Sequence, residues 1–312
     1  MLRSKMILFV CFLLTVLNCK SQKESEKETV KEEAIVETKL TYDFTTESLL
    51  KHIKELSSDA YEGRETGTKG AAKAKNYIIA EFKKLGVKPL GETFEQTFSM
   101  PKTSKITQGE NILGFINGSE KPTEYIVISA HYDHEGIKKG KIYNGADDDA
   151  SGISALIAFA EYLQKHPPKH SVILAAFDAE EKGLIGSYYF VENSIVPKTQ
   201  LKLNINMDMI SRSDKKELYA VGPQHYPQYK SIIENTETSG NVSLKIGHKE
   251  WTFASDHAGF HKAGIPFIYF GVEDHKDYHK PTDDYENIHP EFYTNTVQTI
   301  ISFFKVIDNK KI

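Results

Sequence analysis

Four short apolar runs constrain this chain more than any other feature. They are EYIVISA (Glu124–Ala130), SVILAAF (Ser171–Phe177), LKLNINM (Leu201–Met207) and IPFIYF (Ile265–Phe270). Their hydrophobicity is continuous and rich in β-branched residues, which marks strands buried on both faces. Amphipathic stretches stand before, between and after them. TTESLLKHIKELSS carries Leu49, Leu50, Ile53 and Leu56 on one face, and TKGAAKAKNYIIAEFKKLG repeats the pattern with Gly86 as a stop. SGISALIAFAEYLQKH and PEFYTNTVQTIISFFKVID are the other two helices predicted. Strands alternating with helices imply an α/β fold: a mostly parallel, mixed central sheet flanked by helices on both faces. ETFEQTFSM and NILGFIN predict further strands at one edge, antiparallel to the rest.

In open α/β sheets the ligand site lies outside the carboxyl ends of the strands. The first run ends at His131 in AHYDH, and the second runs into DAEEKG with Glu180 and Glu181. The third ends at Asp208 in NMDMIS, and the fourth is followed by GVEDHKDYHKPTDD, with His275 and His279. The triplet Asp147, Asp148 and Asp149, in YNGADDDASG, sits between the first strand and the next helix and reaches the same edge. Singly, each of these has an ordinary explanation, such as a helix cap, a solvated pair or a structural histidine. Together they crowd carboxylates that would repel one another unless a cation neutralised them. Imidazole and oxygen donors suit Zn²⁺, with Mn²⁺ or Co²⁺ possible. The only cysteines, Cys11 and Cys19, offer no thiolate site in the domain.

With 312 residues and 39% hydrophobic content the chain can bury a large core, and no internal repeat or second linker divides it. Its net charge is -4 and its basic residues, mostly Lys, are dispersed, which argues against nucleic-acid binding. Arg3 and Lys5 precede an apolar run from Met6 to Leu17 with the layout of a signal peptide. Cys19 resembles the acylated first residue of a bacterial lipoprotein, with Asn18 in place of the usual small residue. Residues 20–39 are mixed-charge, without Gly, Pro or aromatics, and read as a tether. The expected organisation is a signal peptide over 1–18, a lipidated Cys19 and flexible tether over 19–40, and a single domain over 41–312. That places the protein in the bacterial cell envelope, outside the cytoplasm and attached to the membrane by its lipid.

HYDH, GADDDASG, FDAEEKGLIGS, NMDMIS and DYHKPTDD, in this order, resemble the motifs of the di-zinc exopeptidases of metallopeptidase family twenty-eight. The likeness runs from LSSDAYEGRETGTKG to the last helix, without the inserted protease-associated domain. That family includes secreted aminopeptidases, glutamate carboxypeptidases and glutaminyl cyclases. The resemblance implies two zinc ions: His131 and Asp208 on one, Glu181 and His279 on the other, and Asp148 bridging. It implies a hydrogen bond from Asp133 to His131, Glu180 as general base for a zinc-activated water, and Tyr278 as oxyanion donor. It also implies a cis Asp148–Asp149 peptide and a pocket wall ordered by Asp256 and His257 of ASDHAGF; loop hydrogen bonds are expected for Asp147 and helix-start charge complementarity for Asp149. His134 and His275 are left outside the ligand set.

The substrates implied are peptides. Holding a substrate's α-carboxylate favours paired arginines, and beyond Arg3 the chain has only Arg64 and Arg212, both inside motifs. The expectation is therefore an aminopeptidase, with a carboxypeptidase or a one-zinc glutaminyl cyclase-like acyltransferase as alternatives. A binding protein that has lost catalysis would be expected to lack Glu180 or a ligand, and none is missing.

Overall fold

The computed structural model describes residues 43–312, within a compact unit spanning Thr41–Ile312. The expected signal peptide, Cys19 and tether lie outside the described residues. The chain opens with α1 (Thr46–Leu56) and α2 (Lys69–Lys84). Thr45 and Thr68 cap them, each hydroxyl accepting the amide three residues on, from Ser48 and Ala71. Strands β1 (Lys88–Pro89), β2 (Glu95–Ser99), β3 (Gln108–Ile116) and β4 (Lys121–His131) follow, then a hairpin of β5 (Gly136–Lys138) and β6 (Lys141–Tyr143). Next come α3 (Ser151–Lys165), β7 (His170–Phe177), α4 (Ile185–Glu192), β8 (Leu201–Met207), β9 (Glu217–Val221) and α5 (Lys230–Glu234). The chain closes with β10 (Ser243–Ile246), α6 (His257–Lys262), β11 (Phe267–Gly271) and α7 (Pro290–Asp308).

The nine-stranded sheet has the order β1-β3-β7-β4-β8-β11-β9-β10, with β2 also on β3. Its centre, β7-β4-β8-β11, is parallel throughout. As the sequence predicts, β2 and β3 are antiparallel additions at one edge. From β4 the chain passes through α3 to β7 on one side, then through α4 to β8 on the other. This divergence opens a crevice at the carboxyl end of β4, where such sheets bind ligands.

Both faces of the sheet are covered. Ile126, Ile128, Ala130, Leu203, Ile205 and Met207 belong to one large apolar cluster with side chains of α1, α2, α3 and α7. Val127, Ile173, Ala175 and Phe177 belong to another, with Phe190 of α4 and Phe260 of α6. Neighbouring residues of one strand thus serve opposite layers, which is why the runs show no polar alternation. Among the described residues no helix is long and apolar enough to cross a membrane.

Candidate metal centre

The acidic triplet divides its work between scaffold and site. Asp149 Oδ2 accepts the His131 amide at 3.1 Å, and Oδ1 accepts those of Gly152 at 2.8 Å and Met209 at 3.3 Å. One buried carboxylate therefore ties the end of β4, the start of α3 and the turn after β8. Asp147 Oδ1 accepts the Ser211 amide and hydroxyl at 2.6 and 2.7 Å, and its Oδ2 lies 3.1 Å from His275 Nε2. His275 is thereby committed away from the ligand set, as the sequence reading has it. Asp283 accepts the amides of Asp147 at 3.0 Å and Asp148 at 3.1 Å. The Asp148–Asp149 peptide is cis.

With its backbone held on both sides, Asp148 turns its carboxylate into the crevice. Oδ1 lies 3.2 Å from His131 Nε2, which is 3.5 Å from Asp208 Oδ1. Oδ2 lies 3.1 Å from His279 Nε2, which is 3.3 Å from Glu181 Oε2. The five residues expected as ligands converge as two groups sharing Asp148. The other nitrogen of each imidazole faces an oxygen. His131 Nδ1 meets the Asp133 carbonyl at 3.0 Å, and His279 Nδ1 lies 4.0 Å from Glu135 Oε1.

The donor set fits a pair of divalent cations. His131 Nε2 and Glu181 Oε1 are buried without a hydrogen-bond partner, although oppositely charged groups lie close by. Buried polar atoms are rarely left so, and convergent donors that do not bond to one another are the arrangement a cation requires. The charges agree. Burial would lower the His131 pKa, yet Asp208, Glu180, Asp133 and Asp148 hold it well above its ordinary value. Burial would likewise lower that of His279, but Asp148 and Glu181 push it up to about 10. The carboxylates draw in positive charge as protons where a metal ion would supply it.

Asp133 acts differently from the expectation. Its carboxylate is 3.7 Å from His131 Nδ1, beyond hydrogen-bond reach, because the turn after β4 presents the backbone carbonyl instead. The carboxylate accepts the amides of Glu180 at 3.0 Å and Glu181 at 3.3 Å, and so fixes the loop that carries both glutamates. Asp178 braces that loop from the other side, accepting the Ala179 amide at 2.8 Å. Burial, with Asp208, Asp256 and Glu181, holds the Glu180 carboxyl well above the usual range despite the opposing His131, which suits a proton acceptor.

Glu180, Glu181, Asp148, Asp208, Tyr278 and His279 share the wall of a cavity of about 330 Å³. Among the described residues no Lys or Arg lines it. Tyr278 stacks on His279 with ring centroids 4.0 Å apart. Burial, then Asp148, Asp208 and Glu181, push its phenol pKa upward, which keeps it a hydrogen-bond donor. Asp274 adds a further carboxylate to the wall, and Met209, Trp251, Tyr269 and Val272 supply its larger apolar surfaces. His257 orders it, stacking on Tyr269 at 4.5 Å and meeting the Trp251 carbonyl at 2.8 Å.

Two supporting residues escape the sequence reading. Arg64, 1% exposed, donates to the carbonyls of Leu56, Tyr132, Asn144 and Gly145. Two of these carbonyls, of Asn144 and Gly145, begin the loop that carries the acidic triplet. Asp283 is the other, and its place within DYHKPTDD is the only signal that points to it. His134, set aside in the sequence, is buried at this centre: its Nδ1 lies 2.8 Å from Glu181 Oε1 and 3.7 Å from Asp148 Oδ2.

A family model described as Peptidase family M28 matches residues 111–304. Aminopeptidase YwaD of Bacillus subtilis (strain 168) is 31% identical over 198 residues, 58% of this chain and 41% of that protein. A probable zinc metalloprotease of Pyrenophora teres f. teres (strain 0-1) is 26% identical over 272 residues, 73% of this chain and 55% of the relative. The chain spans about half the length of the curated relatives it matches. Among solved structures, BSAP, a zinc aminopeptidase from Bacillus subtilis, superposes with TM-score 0.69 at 18% identity, covering 87% of this chain and 98% of that one. The glutaminyl cyclase of Porphyromonas gingivalis gives TM-score 0.70 at 18% identity, covering 85% and 99%. These two likenesses establish the fold.

Proposed function

The chain belongs to peptidase family M28, and from that premise we propose that it is a zinc aminopeptidase that releases N-terminal residues from peptides. His131, Asp208 and Asp148 Oδ1 would hold one zinc ion; Glu181, His279 and Asp148 Oδ2 would hold a second. Bound there, such ions polarise a carbonyl oxygen and lower the pKa of a water to about 7. Glu180 has no part in either ligand group and faces the same cavity. It accepts a proton as the water oxygen attacks the scissile carbonyl carbon, then delivers that proton to the leaving nitrogen as the C–N bond breaks. Tyr278 donates a hydrogen bond to the carbonyl oxygen as negative charge develops on it.

The absence of Lys and Arg from the cavity wall carries the choice of peptide end. Arg64 is spent on four carbonyls, and Arg212 Nη1 donates to Asp277 Oδ2 at 2.6 Å. A substrate α-carboxylate would meet Glu180, Asp208 and Asp274, whereas an α-ammonium group would be attracted by them. Peptides with a free N-terminus should therefore be cleaved, and N-acetylated counterparts at least about tenfold more slowly, the loss expected from a single charged hydrogen bond. Liquid chromatography of digests of matched free and blocked peptides decides this. Efficient release of C-terminal residues from blocked peptides would make the protein a carboxypeptidase. The cyclase-like alternative uses one zinc, and the full complement of Glu181, His279 and Asp148 at the second position supports two.

We also infer export and lipid anchoring at Cys19, a reading that rests on the N-terminal sequence. Cys19→Ser should convert a membrane-associated product into a soluble one or an unprocessed precursor. Unchanged fractionation, with no lipid mass on the wild-type N-terminus, would leave an ordinary signal peptide.

A further inference from the structure

We propose that His134 is a metal ligand: with Glu181, His279 and Asp148 Oδ2 it completes the second position with four protein donors. The first position, built from His131, Asp208 and Asp148 Oδ1, then remains the one with an open place. His134 is fully buried, and neither of its ring nitrogens has a hydrogen-bond partner. Its Nδ1 lies 2.8 Å from Glu181 Oε1, which is itself unpartnered. The contact is short but misaligned, so a hydrogen on Nδ1 would not point at that oxygen. A cation in line with the Nδ1 lone pair would satisfy both atoms. The same nitrogen lies 3.7 Å from Asp148 Oδ2, and both separations suit ligand atoms about 2.0–2.2 Å from one ion.

The backbone makes room for this ring. Gly145 has φ +54°, and a Cβ there would lie 2.6 Å from Cγ and from Cδ2 of His134. The loop that carries the acidic triplet therefore admits the imidazole only because residue 145 lacks a side chain. Four protein donors describe a closed, tightly held zinc position, and three with a free place describe a reactive one. The two positions would accordingly differ in function: the second anchors and orients Asp148, and the first takes up substrate.

The inference rests on the metal-centre reading above, and the test separates the two. The full chain, labelled with ¹⁵N-histidine and loaded with ¹¹³Cd²⁺, should show ¹¹³Cd–¹⁵N coupling to three imidazoles: His131, His134 and His279. His134→Phe, which keeps a ring over Gly145, should remove one of these couplings. It should also weaken one of two zinc sites by more than about 100-fold in chelator competition, since even outer-shell partners are worth about 10–100-fold. If the variant does not fold, assignment of the coupled histidines in the wild-type chain still decides the matter. Coupling to His131 and His279 alone would overturn the role of His134 and leave the metal centre standing. Coupling to no histidine would overturn the metal centre itself.

Discussion

Glu180→Gln is expected to leave the fold and the metal content unchanged while lowering kcat by at least about 10³-fold, or about 4 kcal/mol of transition-state stabilisation. A general base alone accounts for about 10²–10⁴-fold, and in the proposed mechanism Glu180 serves twice, as proton acceptor and as donor to the leaving nitrogen. The structure separates this role from ligation. The Glu180 amide is pinned by Asp133 at 3.0 Å, while its carboxylate lies on the cavity wall outside both ligand groups. Glutamine keeps the shape and loses the proton-accepting oxygen, so KM should change far less than kcat. Glu181→Gln, one residue along, should instead weaken metal binding, because Glu181 Oε2 faces His279 Nε2 at 3.3 Å. Near-normal turnover in Glu180→Gln would remove that residue from the chemistry.

Residues whose position follows from strand direction alone were legible in the sequence. The runs that became β4, β7, β8 and β11 are apolar on both faces, so their burial and parallel order followed, and with them the edge where His131, Glu181, Asp208 and His279 emerge. The elements that escaped are too short to show a period: β9 and β10 have five and four residues, and α4 has eight. The partners that hold the site were equally hidden, because tertiary distance sets them. Asp283 reaches the amides of Asp147 and Asp148 across 136 and 135 residues. Arg64 gathers four carbonyls from three separate segments. Asp133 was legible as a neighbour of His131, but which of its oxygens turns inward depends on the backbone after β4. His134 depends in the same way on the glycine opposite its ring.

Asp148 is shared by the two ligand groups proposed to hold zinc, so its substitution should have the broadest effect on binding. Each carboxylate oxygen serves one group: Oδ1 faces His131 at 3.2 Å and Oδ2 faces His279 at 3.1 Å. Asp148→Asn keeps the outline but removes the negative charge and replaces one oxygen with an amide nitrogen that cannot bind a cation. One position then loses its shared ligand atom, and both lose the negative charge they share. Asp208→Asn and Glu181→Gln should each weaken only one. Hydrogen bonds from the Asp148 amide to Asp283 and of Asp149 to three amides do not involve the substituted carboxylate, so the loop should persist. The decisive measurement is elemental analysis of the dialysed, zinc-loaded chain beside Asp148→Asn, with turnover recorded on the same samples. The account predicts two zinc ions per wild-type chain and fewer than one, without turnover, in Asp148→Asn; a fully active wild-type chain that holds no more than one ion would contradict it.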